Sequence, residues 1–109
     1  MSETPVLDLL ARMNLDSVEQ SALDPGSLML VRLAALVATD APPFSYVTNL
    51  GLAADAGLEV EHVQEVLIAV APIVGTARVM SAAGNIARAL GVAVAVVEAE
   101  IEASLGGDA

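Results

Sequence analysis

The sequence contains no cysteine, no tryptophan and no lysine; Arg12, Arg32, Arg78 and Arg88 are its whole basic complement. Without cysteine there is no disulfide framework, no thiolate nucleophile and no thiolate metal site. Redox chemistry by the chain's own side chains is excluded with them. Four basic residues against fourteen acidic ones leave a formal net charge of −10, with an isoelectric point near 4.1. Affinity for nucleic acid, and for an anionic membrane face, rests on cations that neutralise phosphates, so neither partner is expected. Aromatic residues amount to Phe44 and Tyr46 alone.

A long hydrophobic run is also missing, although the mean hydropathy is +0.71. Crossing a bilayer takes about 18 or more consecutive apolar residues. The stretch from Val66 to Ala77 contains Pro72 and Gly75 and stops at Arg78, and that from Ala89 to Val97 stops at Glu98. The opening MSETPVLDLL has neither the basic start nor the long apolar core of a secretory signal, so a cytoplasmic protein is expected.

What the chain has in quantity is apolar surface: 56% of its 109 residues are hydrophobic. The length suits one domain, taken as 1–109. A folded chain of this mass, alone, hides roughly 65% of its extended surface, too little for so apolar a composition. A homo-oligomer is the expectation. The alternative is a chain whose apolar surface is completed by another protein.

Alanine, leucine and glutamate dominate, and turn signals recur at helical intervals, which predicts an all-α fold of about six short helices. Pro5 to Met13 carries Val6, Leu7, Leu9, Leu10 and Met13 on a broad apolar side, with Pro5 suited to a first turn. Asn14 to Ser21 reads as a connection. Asp24-Pro25 supplies a capping oxygen and a residue that needs no amide partner, opening a helix to about Thr39. From Leu28 to Ala38 that helix is apolar on every side except at Arg32, which predicts burial on every side. Asp40-Ala41-Pro42-Pro43 breaks it.

The next helix runs from Phe44 to Ala56 and stops at Gly57. Leu58-Glu59-Val60-Glu61 opens a fourth, with acids at the positive end of its dipole and Val63, Val66, Leu67, Val70 and Ala71 at helical spacing. Pro72 is expected to kink or end it. Gly75-Thr76 offers a stop and a fresh cap. The fifth helix follows, Ala77 to Leu90, with a core stripe of Val79, Met80, Ala83, Ile86, Ala87 and Leu90 and Gly91 as terminator. Val92 to Leu105 alternates like a strand but is read as a helix, since a lone strand has no ladder partner. Both termini are expected to fray.

From Leu23 to Leu90 the order of features resembles the carboxymuconolactone decarboxylase family, which includes the alkylhydroperoxidase D-like proteins. The likeness is carried by Leu23-Asp24-Pro25, by Leu33-Ala34-Ala35-Leu36-Val37-Ala38, and by Ala53-Ala54-Asp55-Ala56-Gly57-Leu58 leading into Glu61-His62-Val63-Gln64-Glu65-Val66-Leu67. Gly75-Thr76-Ala77-Arg78-Val79-Met80-Ser81-Ala82-Ala83 completes it. The resemblance implies a small all-helical subunit assembling into dimers, trimers or hexamers, with a site between helices near the subunit contacts.

The chemistry does not carry over. Peroxidatic members hold a glutamate, a Cys-x-x-Cys pair and a histidine where this chain has Leu30, Pro42, Ser45 and Asn49. The decarboxylase branch keeps a histidine at the place of Asn49 and a further histidine and tyrosine where Ala69 and Ile73 stand here. Groups that exchange protons near neutral pH have become amide and hydrocarbon. The resemblance therefore points to a catalytically degenerate member.

Among the remaining polar residues, Ser45, Tyr46, Thr48 and Asn49 fall within a turn and a half at the start of the third helix. They form either a hydrogen-bonding pocket beside free helix amides or a proline-led helix start whose side chains satisfy those amides. Arg32 is the lone charge of an apolar helix. It either anchors a ligand carboxylate or pairs with an acid such as Asp55 or Glu65. The candidate pocket is thus Arg32, Ser45, Tyr46 and Asn49. His62, among Glu59, Glu61 and Glu65, reads as a solvated-face residue before a base or a metal ligand. No cofactor and no metal is expected. Three functions compete: an oligomeric scaffold or small-ligand module, a lyase or isomerase on a small carboxylated or lactone substrate using Arg32 with Asn49 or Tyr46, and an interaction protein whose apolar helices complete another protein's core.

Overall fold

A computed structural model describes residues 2–106, with side-chain surroundings for those outside 92–98, 100 and 106. Five helices make up the described residues: α1 (Pro5–Gln20), α2 (Pro25–Ala38), α3 (Pro43–Asp55), α4 (Val60–Val74) and α5 (Thr76–Gly106). Met1 and Gly107 to Ala109, expected to fray, lie outside the described residues.

Local chemistry sets most of the helix ends. Asp24 caps α2: its carboxylate accepts the Ser27 amide at 3.1 Å and the Ser27 hydroxyl at 2.8 Å. Those two bonds, the hydroxyl's first, hold the Asp24 carboxyl below its usual range. Pro25 and Pro43 sit in the first turns of α2 and α3, where no amide partner is needed. Gly57 and Gly75 close α3 and α4 with φ of +87°, a backbone that costs any residue with a Cβ. Asp40 also takes a positive φ, 53°, at the corner between α2 and α3. That corner is pinned from α5, where the Ser81 hydroxyl donates to the Asp40 carboxylate at 2.6 Å and the Asn85 amide to the Ala41 carbonyl at 3.1 Å.

Two boundaries differ from expectation. Asn14 to Gln20 continues α1 rather than connecting it onward, because no glycine or proline interrupts it before Ser21. Gly91 does not terminate the fifth helix; it lies inside α5, which is continuous for 31 residues. No N-capping residue or proline follows Gly91, so the helix keeps its ladder at the modest entropic cost of one interior glycine. Within α4, the helix runs two residues past Pro72 to Val74.

The core lies where α2, α3, α4 and α5 meet. Leu33, Ala41, Tyr46, Val66, Ile86 and Ala89 form it, with Val63, Leu67 and Val70 among the half-buried residues packed around them. On α5 the buried stripe is Ala82, Ile86 and Ala89. The stripe expected from periodicity is rotated by about one residue's worth of turn: Met80, Ala83, Ala87 and Leu90 face outward. The α2 helix is likewise not buried on every side, since Val31 is 56% exposed.

The molecule is extended for its size. Its radius of gyration is 16.0 Å, against about 13 Å for a compact chain of this length. It exposes 7478 Å², whereas a compact monomer of this mass exposes about 5,600 Å². Part of the excess is α1, which buries no residue and packs extensively on no other helix.

Candidate functional site

The four polar residues singled out by sequence do not converge on a shared cleft. Arg32, half-buried on α2, spends its guanidinium on α1, donating to both the side-chain and backbone oxygens of Asn14. Its partner is an amide, not the Asp55 or Glu65 carboxylate expected for it. The helical continuation of α1 beyond Met13 is what brings Asn14 alongside. Asn49 turns its amide nitrogen back to the Ser45 carbonyl one turn earlier on α3, at 2.8 Å. Ser45 is half-buried in the first turn of that helix. Tyr46 is fully buried, 0% exposed, in the core.

The Tyr46 hydroxyl has no hydrogen-bond partner among the described residues. Burial, and then the negative charge of Asp40, push its pKa up from the ordinary value near 10. A phenol that holds its proton this firmly is a poor base.

The positions where peroxidatic and decarboxylating relatives keep their machinery are structural here. Leu30 packs against the core. Pro42 precedes α3 as its N-cap residue. Ile73 is 86% exposed on α4. His62 closes a capping box on α4: its Nδ1 accepts the Glu59 amide at 2.9 Å while the Glu59 side chain accepts the His62 amide. Local backbone hydrogen bonding therefore occupies the one histidine. Among the described residues no group of three or more histidine, aspartate or glutamate side chains is placed to hold a metal ion. No helix of the described residues is long and apolar enough to cross a membrane.

Sequence reasoning missed the largest concavity. A cleft of about 360 Å³ opens between the end of α3, the start of α4 and the middle of α5. Leu50 and Ala53 form one wall, Val63 and Leu67 a second, and Ala83 and Ala87 a third. Glu59 and Gln64 are its only polar contributors, and the Glu59 side chain is committed to the cap. The volume lies in the lower part of the range usual for small-molecule sites, and the hydrocarbon lining is typical of them. No cationic residue lines it. The missed signal was the second apolar face of α5. Ala82, Ile86 and Ala89 fill one stripe, and Ala83, Ala87 and Leu90 make another, more than one core contact requires.

Two further clefts flank α2. One, of about 240 Å³, lies at the foot of α1 and includes Val18, Leu23, Leu28 and Met29. The other, of about 330 Å³, lies between α2 and α4 and includes Val31, Ala34, Val66 and Ala69. None of the three clefts is lined by Arg32, Ser45, Tyr46 or Asn49.

Comparison with curated proteins and with solved structures returned no significant match. A family model does match, over residues 4–89, beginning well before the stretch from Leu23 that carries the resemblance and taking in the whole of α1. With four helices and the first half of the fifth inside that span, the chain belongs to the carboxymuconolactone decarboxylase family.

Proposed function

We propose that this chain is a catalytically degenerate member of its family, a cytoplasmic homo-oligomer that binds a small apolar molecule in the cleft between α3, α4 and α5. The observation that carries the reading is that cleft: a concavity walled by hydrocarbon, with no proton-transfer group free to act inside it. The excess exposed surface supports assembly, because a subunit with so much uncovered apolar area gains by meeting copies of itself.

The absence of a cation from the cleft lining favours an uncharged ligand over a carboxylated one. The net charge of −10 acts in the same direction. A lyase or isomerase built on Arg32 and Asn49 has less support, since both side chains already have protein partners.

Titration with a neutral environment-sensitive fluorophore such as N-phenyl-1-naphthylamine tests the site. Saturable binding is expected, and Ala87→Trp, which grows a large ring from an exposed position into the cleft, is expected to abolish it with the helical circular dichroism unchanged. Equal binding by that variant overturns the site. Turnover of a lactone or a peroxide by the purified protein overturns the degenerate reading.

A further inference from the structure

The α1 helix is amphipathic along its length. Val6, Leu9, Leu10 and Met13 fall on one stripe at helical spacing, while Asp8, Arg12, Asp16 and Glu19 occupy the opposite side. The stripe is open, with these four residues between 51% and 67% exposed. Helices of about this length gain most of their stability from packing an apolar face rather than from propensity. Within one chain the α1 stripe has nothing to pack on.

We infer that a second copy of this chain covers the stripe, so that α1 is the arm by which subunits assemble. The inference rests on the self-association proposed above and adds the element that makes the contact. Area is the first argument for a second copy. The chain exposes about 1,900 Å² more than a compact monomer of its mass, whereas a stable interface removes roughly 800 Å² from each partner. One copy can thus supply both an arm and a surface that receives one.

Complementarity is the second argument. The same chain offers a projecting apolar helix and apolar clefts on both sides of α2, the pairing that lets identical subunits close on each other. Charge is the third. Two chains of −10 repel, so they can meet only through a charge-free seam, and the α1 stripe is one. Salt screens that repulsion over about 8 Å at physiological strength. Added salt therefore tightens self-association, whereas it would loosen the grip of a cationic foreign partner.

The test uses the full chain. Analytical ultracentrifugation is expected to show a species heavier than the 11.0 kDa subunit, with association strengthening as salt is raised. Leu10→Glu, which forces an unpaired carboxylate into the seam, is expected to weaken association roughly a hundredfold. The core should survive the change, because α1 contributes no buried residue to it. The cysteine-free background gives a second readout. A polarity-sensitive dye on Met13→Cys should emit to the blue while assembled and shift to the red on dilution.

If Leu10→Glu assembles like the parent and the dye at position 13 reports water throughout, the arm is refuted while self-association stands. If the parent chain is monomeric, both fall. A dye that reports an apolar setting only after a foreign protein is added also overturns the inference.

Discussion

Replacing Tyr46 with phenylalanine removes one oxygen from the centre of the fold and tests the reading of the former active-site region as structural. The ring is 0% exposed, and the hydroxyl has no partner among the described residues. A buried hydroxyl without a hydrogen bond carries a desolvation cost of about 1–3 kcal/mol. Phenylalanine keeps the shape and removes the cost, so Tyr46→Phe is expected to stabilise the protein by about 1–2 kcal/mol. For a chain of this size that raises the Tm by roughly 4–8 °C per kcal/mol. Protein concentration must be held fixed, since assembly adds to apparent stability.

The pH dependence supplies a second arm. Burial and Asp40 raise the folded-state pKa of Tyr46 above its ordinary value, so the folded protein keeps the phenol proton where the unfolded chain releases it. The stability linked to that shift is complete below about pH 10 and declines as pH rises further. Because Tyr46 is the only tyrosine and there is no tryptophan, phenolate absorbance reports this one group. It should appear above its ordinary midpoint and together with loss of helical signal; the phenylalanine variant should lack this linked decline. Refutation comes from either of two results: Tyr46→Phe less stable than the parent, which would reveal a hydrogen-bond partner, or phenolate forming near its ordinary pKa while the fold remains intact.

The continuity of α5 predicts the sign of another substitution. Gly91→Ala should stabilise by up to about 1 kcal/mol in denaturant unfolding, since a helix interior favours alanine and a Cβ there meets nothing within 4 Å. A terminating Gly91 would give the opposite sign. Gly57→Ala should destabilise by about 1–2 kcal/mol, because φ of +87° strains any residue with a Cβ. Leu33→Ala, at a core position 1% exposed, should cost about 2–5 kcal/mol in chemical denaturation. Asp24→Ala should be less stable at neutral pH. The parent's advantage, which arises from a lowered folded-state pKa, should be lost as pH falls through and below about 4; an advantage unchanged in acid would show that the cap carboxylate contributes nothing.

Short-range chemistry made much of the fold readable in one dimension. Asp24 with Pro25, the Pro42-Pro43 pair, Gly57 and Gly75 act on backbone groups within a turn of themselves, so their helix ends are legible without knowing what the helices touch. Composition alone excluded thiol chemistry and nucleic-acid binding, and the order of small-residue turns pointed to the family. Other local signals misled. Asn14 to Gln20 is as polar as a connection yet stays helical, and Gly91 looks like a stop without acting as one, because neither carries a feature that opposes the helix strongly.

What tertiary structure alone decided is orientation. On helices as apolar as α2 and α5, periodicity admits several buried faces, and only the neighbours choose. They turned Ala82, Ile86 and Ala89 inward and left Ala83, Ala87 and Leu90 to a cleft. The same holds for the polar residues: a sequence lists Arg32, Tyr46 and Asn49 as available, but their partners come from distant or adjacent turns that packing brings to them. Arg32 met Asn14, Asn49 met its own helix, and Tyr46 met hydrocarbon, because a side chain's chemistry is set by what surrounds it and the surroundings exist only once the helices have docked.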